Sequence, residues 1–298
     1  MLFRSKALEG QKAIKAASLV AAFMAQKKSE LQLVLVQSLP IGEEKEIQSL
    51  LESVILGEFD HPVRTEALKK GLLTQNASKI VEVALEKFPS DAAHRVSWLS
   101  SIKTSLQKTQ FEKFSALFKK EDRAEVKKAF VETSGQFGYD ENFPLLKELL
   151  EKETNIALKE AAFLVLSSYR QKETIEFLEK LGETQDPISK ALAHKAIFEI
   201  DSEKGTELLL KDLNEAKANF KALEILISKS PKIAKKQIAA FFTKTKTDEE
   251  MLHALKLCAP VFGPEQIGIL MDLLSSPEVK VRVEIGKMLD FITGIQSG

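Results

Sequence analysis

Apolar residues recur along this chain at helical spacing, and the stretch Glu58–Thr74 (EFDHPVRTEALKKGLLT) sets the pattern. Asp60 stands where a helix cap is needed and Pro62 falls in the first turn, while Val63, Ala67, Leu68, Gly71 and Leu72 share one face. Related segments return in steps of about thirty residues, a period that signals a stack of repeated units. The pattern predicts antiparallel helix pairs throughout. They are Leu2–Ala25 with Glu30–Ser38, Lys45–Leu56 with Pro62–Leu73, Ser78–Lys87 with Asp91–Leu106, and Phe111–Lys119 with Arg123–Gln136. Next come Phe143–Glu151 with Ile156–Tyr169, Glu173–Leu181 with Pro187–Ile200, and Glu203–Leu213 with Lys217–Ser228. Pro231–Thr243 with Asp248–Pro260 and Pro264–Leu274 with Pro277–Thr293 complete the series.

Punctuation supports the pairing. Asp60-His61-Pro62, Asp186-Pro187 and Ser276-Pro277 each place a capping side chain before a proline at the start of a second helix. Pro144, Pro231 and Pro264 fall near the starts of first helices, where a missing amide proton leaves no helical bond unmade. Thr247 and Glu250 have capping-box spacing. Aligned on these turns, the place of Val63 is taken by Ala93, Val126, Leu158, Ile188, Ala218, Met251 and Val281. The place of Ala67 is taken by Ser97, Phe130, Ala162, Leu192, Ala222, Leu255 and Ile285. A nearly unbroken apolar column is what stacking demands, because one helix pair cannot bury its own apolar face.

Asp60, Pro62, Val63, Arg64, Ala67 and Leu68 together read Asp-x-Pro-Val-Arg-x-x-Ala-Leu, which resembles the second helix of a HEAT repeat. Ser276-Pro277 with Val281, Arg282 and Ile285 is a weaker copy. The likeness implies an all-α solenoid, a right-handed superhelix of about eight to nine helix pairs. It implies one continuous domain over residues 1–298, with residues 1–42 and 264–298 as capping repeats. It also implies a protein or peptide partner on the concave surface lined by second helices.

Charge narrows the choice of partner. The 298 residues carry 43 basic and 43 acidic side chains, and residues 1–150 hold 22 against 20. A protein that grips nucleic acid along its length shows a basic surplus, so nucleic acid is disfavoured. The lone Cys258, in the apolar run LHALKLCAPVF, excludes internal disulfides and is read as a buried thiol. Arg4, Lys6, Lys12 and Lys15 before the apolar run Ala16–Ala25 resemble a signal peptide. Glu9 and the shortness of the run favour a buried first helix and a cytoplasmic protein. His61, His94, His194 and His253 are scattered one to a repeat, which argues against a metal site. With no glycine-rich phosphate loop, HExxH or GxSxG, neither cofactor nor catalytic group is expected. An enzyme or enzyme accessory of the DNA-glycosylase or chromophore-lyase kind is the rival reading.

In the same alignment Arg64, His94, Lys127, Lys159 and Arg282 share one site, interrupted by Ser189, Asn219 and Leu252. Such a basic ladder would suit an acidic partner, or each cation could pair with an acidic turn of its own or a neighbouring repeat. Lys119-Lys120 and Lys127-Lys128, with Glu121, Asp122 and Glu125 among them, read as solvated faces. Lys70 reads as a surface residue whose replacement is silent. Trp98 is aligned with Leu68 and assigned to the interior. The apolar terminal helices, Ala16–Ala25 and Met288–Ile295, offer surfaces for self-association.

Overall fold

The computed structural model describes residues 18–41, 45–183 and 186–294. Among them the chain forms eighteen α-helices and no strand, the all-α solenoid class expected. Helix α1 is described over residues 18–25. It is followed by α2 (Ser29–Ser38), α3 (Lys45–Leu56), α4 (His61–Leu72), α5 (Ala77–Glu86), α6 (Ala92–Ile102) and α7 (Phe111–Lys120). Then come α8 (Ala124–Ser134), α9 (Tyr139–Lys152), α10 (Ile156–Ser168), α11 (Lys172–Gly182), α12 (Pro187–Ile200) and α13 (Ser202–Leu213). The last are α14 (Phe220–Lys229), α15 (Pro231–Phe242), α16 (Asp248–Cys258), α17 (Ile267–Leu273) and α18 (Val279–Thr293). Arg4, Lys6, Lys12, Lys15, Gly42 and Ile295 lie outside the described residues, and with them most of the signal-like segment.

Local chemistry explains most boundaries. The side chains of Asp91, Asp186, Asp201, Asn219 and Thr247 accept first-turn amides of α6, α12, α13, α14 and α16. Asp60 departs from expectation: its carbonyl accepts the Arg64 amide at 3.1 Å, but its carboxylate caps nothing in α4. The capping box of α16 is displaced by one residue, since Glu250 reaches the amide of Lys246. Helix α9 begins four residues earlier than expected and carries Pro144 inside it. The missing proline amide leaves the Asp140 carbonyl unserved, a loss confined to the first turns of the helix. Pro264 opens a short 3-10 turn before α17 instead of the helix itself.

The chain divides into two compact units, Met1–Val165 and Leu166–Gly298. In the first, α2, α4, α6 and α8 pack in succession, and α3, α5 and α7 form the accompanying layer. Its interior is rich in phenylalanine. Phe114 meets Phe130 at 5.0 Å and Phe137 at 5.1 Å, both edge-on, the preferred aromatic geometry. In the second unit, α12, α14, α16 and α18 succeed one another over a core that includes Leu209, Leu223, Ile238, Leu255 and Ile285. Gly205 allows α13 to lie directly on α12, because a Cβ there would stand 2.3 Å from the Phe198 Cα. Trp98 is fully buried, as is Cys258, whose thiol is pushed up to about 12 by burial.

Candidate partner-binding site

The basic ladder becomes clear when each second helix is counted from its own cap. Arg64 lies four residues after Asp60, which begins α4. The same count from Asp91 in α6 reaches Arg95, not His94, and from Asp186 in α12 it reaches Lys190, not Ser189. From Arg123 and Asn155 it reaches Lys127 and Lys159, and from Glu278 it reaches Arg282. An alignment by mean spacing therefore slips in four repeats, by one residue in α6, α12 and α16 and by four in α14.

At this position Arg64, Arg95 and Lys190 tie repeats together. The Arg64 guanidinium donates to the Ile55 carbonyl of its own repeat at 3.1 Å and to the Lys87 carbonyl, at the end of α5, at 2.8 Å. It also lies 4.9 Å from the centre of the Trp98 ring. Arg95 repeats the arrangement, donating to Pro89 O at 2.6 Å and to the Glu121 carboxylate, at the end of α7, at 2.5 Å. Lys190 pairs with Asp212 at 3.4 Å and with Glu215, at the end of α13. Burial pulls the Lys190 ammonium down, but Glu215 and Asp212 outweigh that and hold it above the ordinary lysine value. Arg282 donates to Ser276 O and Pro277 O, at 2.7 and 2.8 Å, in its own turn. Arg64, Arg95 and Lys190 meet carbonyls or carboxylates at or just beyond the ends of first helices, where the macrodipole leaves partial negative charge, while Arg282 fastens only its own turn.

Glu121 is buried in this series, its side chain only 2% exposed, so the solvated face expected for it is replaced by an interior ion pair. Burial alone would raise its carboxyl. The Arg123 amide at 3.0 Å, the Arg95 guanidinium and the Asp122 amide at 3.1 Å together hold it below the usual carboxylate range. Lys70 is likewise not a bystander. Its ammonium donates to Gln37 O and Leu39 O, both at 2.8 Å, closing the carboxyl end of α2.

The remaining ladder residues behave differently. His94 sits one residue short of the rung, bonded to Asp91 at 2.8 Å and stacked on His61 with ring centres 3.9 Å apart. Burial first, then the charges of His94 and Arg64, hold the His61 imidazole below its ordinary value. Lys159 is half-buried and engaged. Lys127 differs from all of these. Half-buried at the rung position of α8, it lines a cleft of about 340 Å³ with Phe118, Lys119, Leu145, Glu148 and Leu149. Among the described residues its ammonium has no hydrogen-bond or ion-pair partner.

Other chemistry is sparse. No group of three His, Cys, Asp or Glu among the described residues is placed to hold a metal ion. No described helix is long and apolar enough to cross a membrane. His194 and Asp212 form a buried pair at 2.7 Å, but the imidazole Nε2 faces Gly182, where an added Cβ would lie 2.4 Å away. Residues 111–214, which contain the Lys127 cleft, match the family model for HEAT repeats. No curated protein matches the chain.

Proposed function

For a chain that carries HEAT repeats over residues 111–214, we propose a non-catalytic role as a scaffold or adaptor that binds a protein or peptide partner. The observation supporting this reading is the run of closed seams. Arg64 and Arg95 each fasten the ends of successive first helices, so the second helices between them present a surface already fixed in shape. Binding to a preformed surface does not have to order that surface, which removes part of the cost of association. HEAT repeats commonly mediate protein interactions, and the rigid seams suit that use. An acidic partner is the finer form of the proposal, and a cytoplasmic location accompanies it.

Affinity capture from native lysate, followed by cross-linking mass spectrometry, tests the reading. A stoichiometric partner cross-linked to second-helix lysines is the expected outcome. Absence of any stoichiometric partner, or a partner attached only outside the helical repeats, would overturn it.

A further inference from the structure

The rung at Lys127 is open, and what surrounds it points to a ligand. Arg95 closes the neighbouring seam by reaching Glu121 at the end of α7. One repeat later, Glu153 stands at the equivalent end of α9 and accepts the amides of Thr154 and Asn155 at 2.9 and 2.8 Å, just as Glu121 accepts two amides. Here Lys127 does not close the gap, and the unfilled seam is the cleft itself. Its floor is apolar, with Phe118 and Leu145 buried and Leu149 half-buried.

Three lysines, Lys119, Lys127 and Lys152, line the cleft against two glutamates, Glu148 and Glu153, which leaves one net positive charge. Glu148 is satisfied by Lys152 at 2.7 Å, and Glu153 by the two amides. The carboxyl ends of α7 and α9 carry basic residues in their last turns, Lys119 and Lys120 in α7 and Lys152 in α9. Lys119, exposed and close enough to Glu148 to lower its carboxyl after Lys152 does, and Lys127, half-buried, make no hydrogen bond or ion pair among the described residues and can face an occupant. An apolar floor beneath two ammonium groups that make no hydrogen bond or ion pair among the described residues is complementary to an apolar side chain flanked by anions. The volume lies near the lower bound for ligand pockets, about 300 Å³, which fits a few side chains and not a folded domain.

We infer that the cleft between α7, α8 and α9 receives an acidic peptide segment of a partner, its apolar side chain on Phe118, Leu145 and Leu149 and its carboxylates on Lys119 and Lys127. This assignment rests on the binding role proposed above and names the surface and ligand chemistry within it. The recognition is electrostatic at an open site, so it weakens as ionic strength rises and the screening length falls below about 10 Å.

The test is fluorescence anisotropy with the full chain and a labelled short peptide alternating Leu and Glu, compared with its Leu/Gln counterpart. The acidic peptide is expected to bind at least about fivefold more tightly than the neutral one, and Lys119→Gln with Lys127→Gln to abolish that preference. The thermal midpoint of the double variant should match the native protein, since among the described residues neither ammonium makes a hydrogen bond or ion pair to lose. Equal binding of the two peptides, or equal binding to native and variant protein, would overturn the assignment. So would displacement of the acidic peptide by single-stranded polyuridine at lower concentration than by the unlabelled peptide. The scaffold reading would survive each of these results, because a cross-linked partner can dock elsewhere. Conversely, a failed capture experiment alongside selective peptide binding would isolate the fault in the broader role.

Discussion

Two seams in the first unit differ by little in sequence and much in outcome. At one, Arg95 of α6 faces Glu121 at the end of α7; at the other, Lys127 of α8 stands at the same helical position opposite Glu153. Both glutamates fold back onto two amides of the following turn, so the acceptor sides are alike. The cations are not. A guanidinium carries a fork of donors and can hold a carbonyl and a carboxylate together, as Arg95 does with Pro89 and Glu121. A lysine is a single strongly hydrated charge, and at Lys127 the seam remains a cleft. The comparison teaches that the position four residues past the cap is a structural fastening by default and becomes available to a ligand where the fastening is not made.

The sharpest way to break the comparison is Arg95→Ala, which strands the Glu121 carboxylate with its amides alone. It should cost about 3 kcal/mol, measured by urea unfolding. The pH dependence carries the same signature. The depressed Glu121 carboxyl contributes stability that is present above the ordinary glutamate value of 4.5 and lost as pH falls through its lower folded value. The gap between native protein and Arg95→Ala should therefore be full near neutrality and narrow in acid. Lys70→Asp comes next. Two carbonyls at the end of α2 lose their donor and gain a repelling carboxylate, so a loss of about 2 kcal/mol is expected where the sequence suggested silence. Lys127→Arg sharpens the comparison from the other side by supplying the missing fork. If Arg closes on Glu153, the thermal midpoint rises, by about 0.5–1 kcal/mol of stability. Smallest is Lys119→Gln, expected within about 0.5 kcal/mol of native by the same unfolding measurement.

The helix pairs were legible in the sequence because their signals are local: apolar spacing, proline at first turns and capping side chains. The likeness to HEAT repeats, read from Asp60 through Leu68, agrees with the match over residues 111–214. The ladder was legible only in part. In α12 both Leu192 and Ala193 are buried, so the apolar column accepts either register, and the buried His194 stands where an apolar residue marks the place in α4. In α6 the buried pair Trp98–Leu99 takes the places of Ala67 and Leu68, a shift that an alignment by mean spacing overlooks. Counting from Asp91 and Asp186 would have found Arg95 and Lys190, since the cap fixes where a helix begins and an apolar face does not. The burial of Glu121 had no such signal. Its sequence neighbours are charged, and its partner Arg95 arrives from the preceding repeat, 26 residues away. For the same reason the cleft at Lys127, which depends on a contact not made, is a property of the folded chain alone.

Double-mutant cycles on the two seams measure the central claim directly, taking Arg95→Ala with Glu121→Ala and Lys127→Ala with Glu153→Ala. The account predicts a coupling of about 1.5–3 kcal/mol for the first pair and under about 0.3 kcal/mol for the second. Equal couplings would contradict it, because Lys127 would then be fastening its repeat as Arg95 does and would not be free to meet a partner.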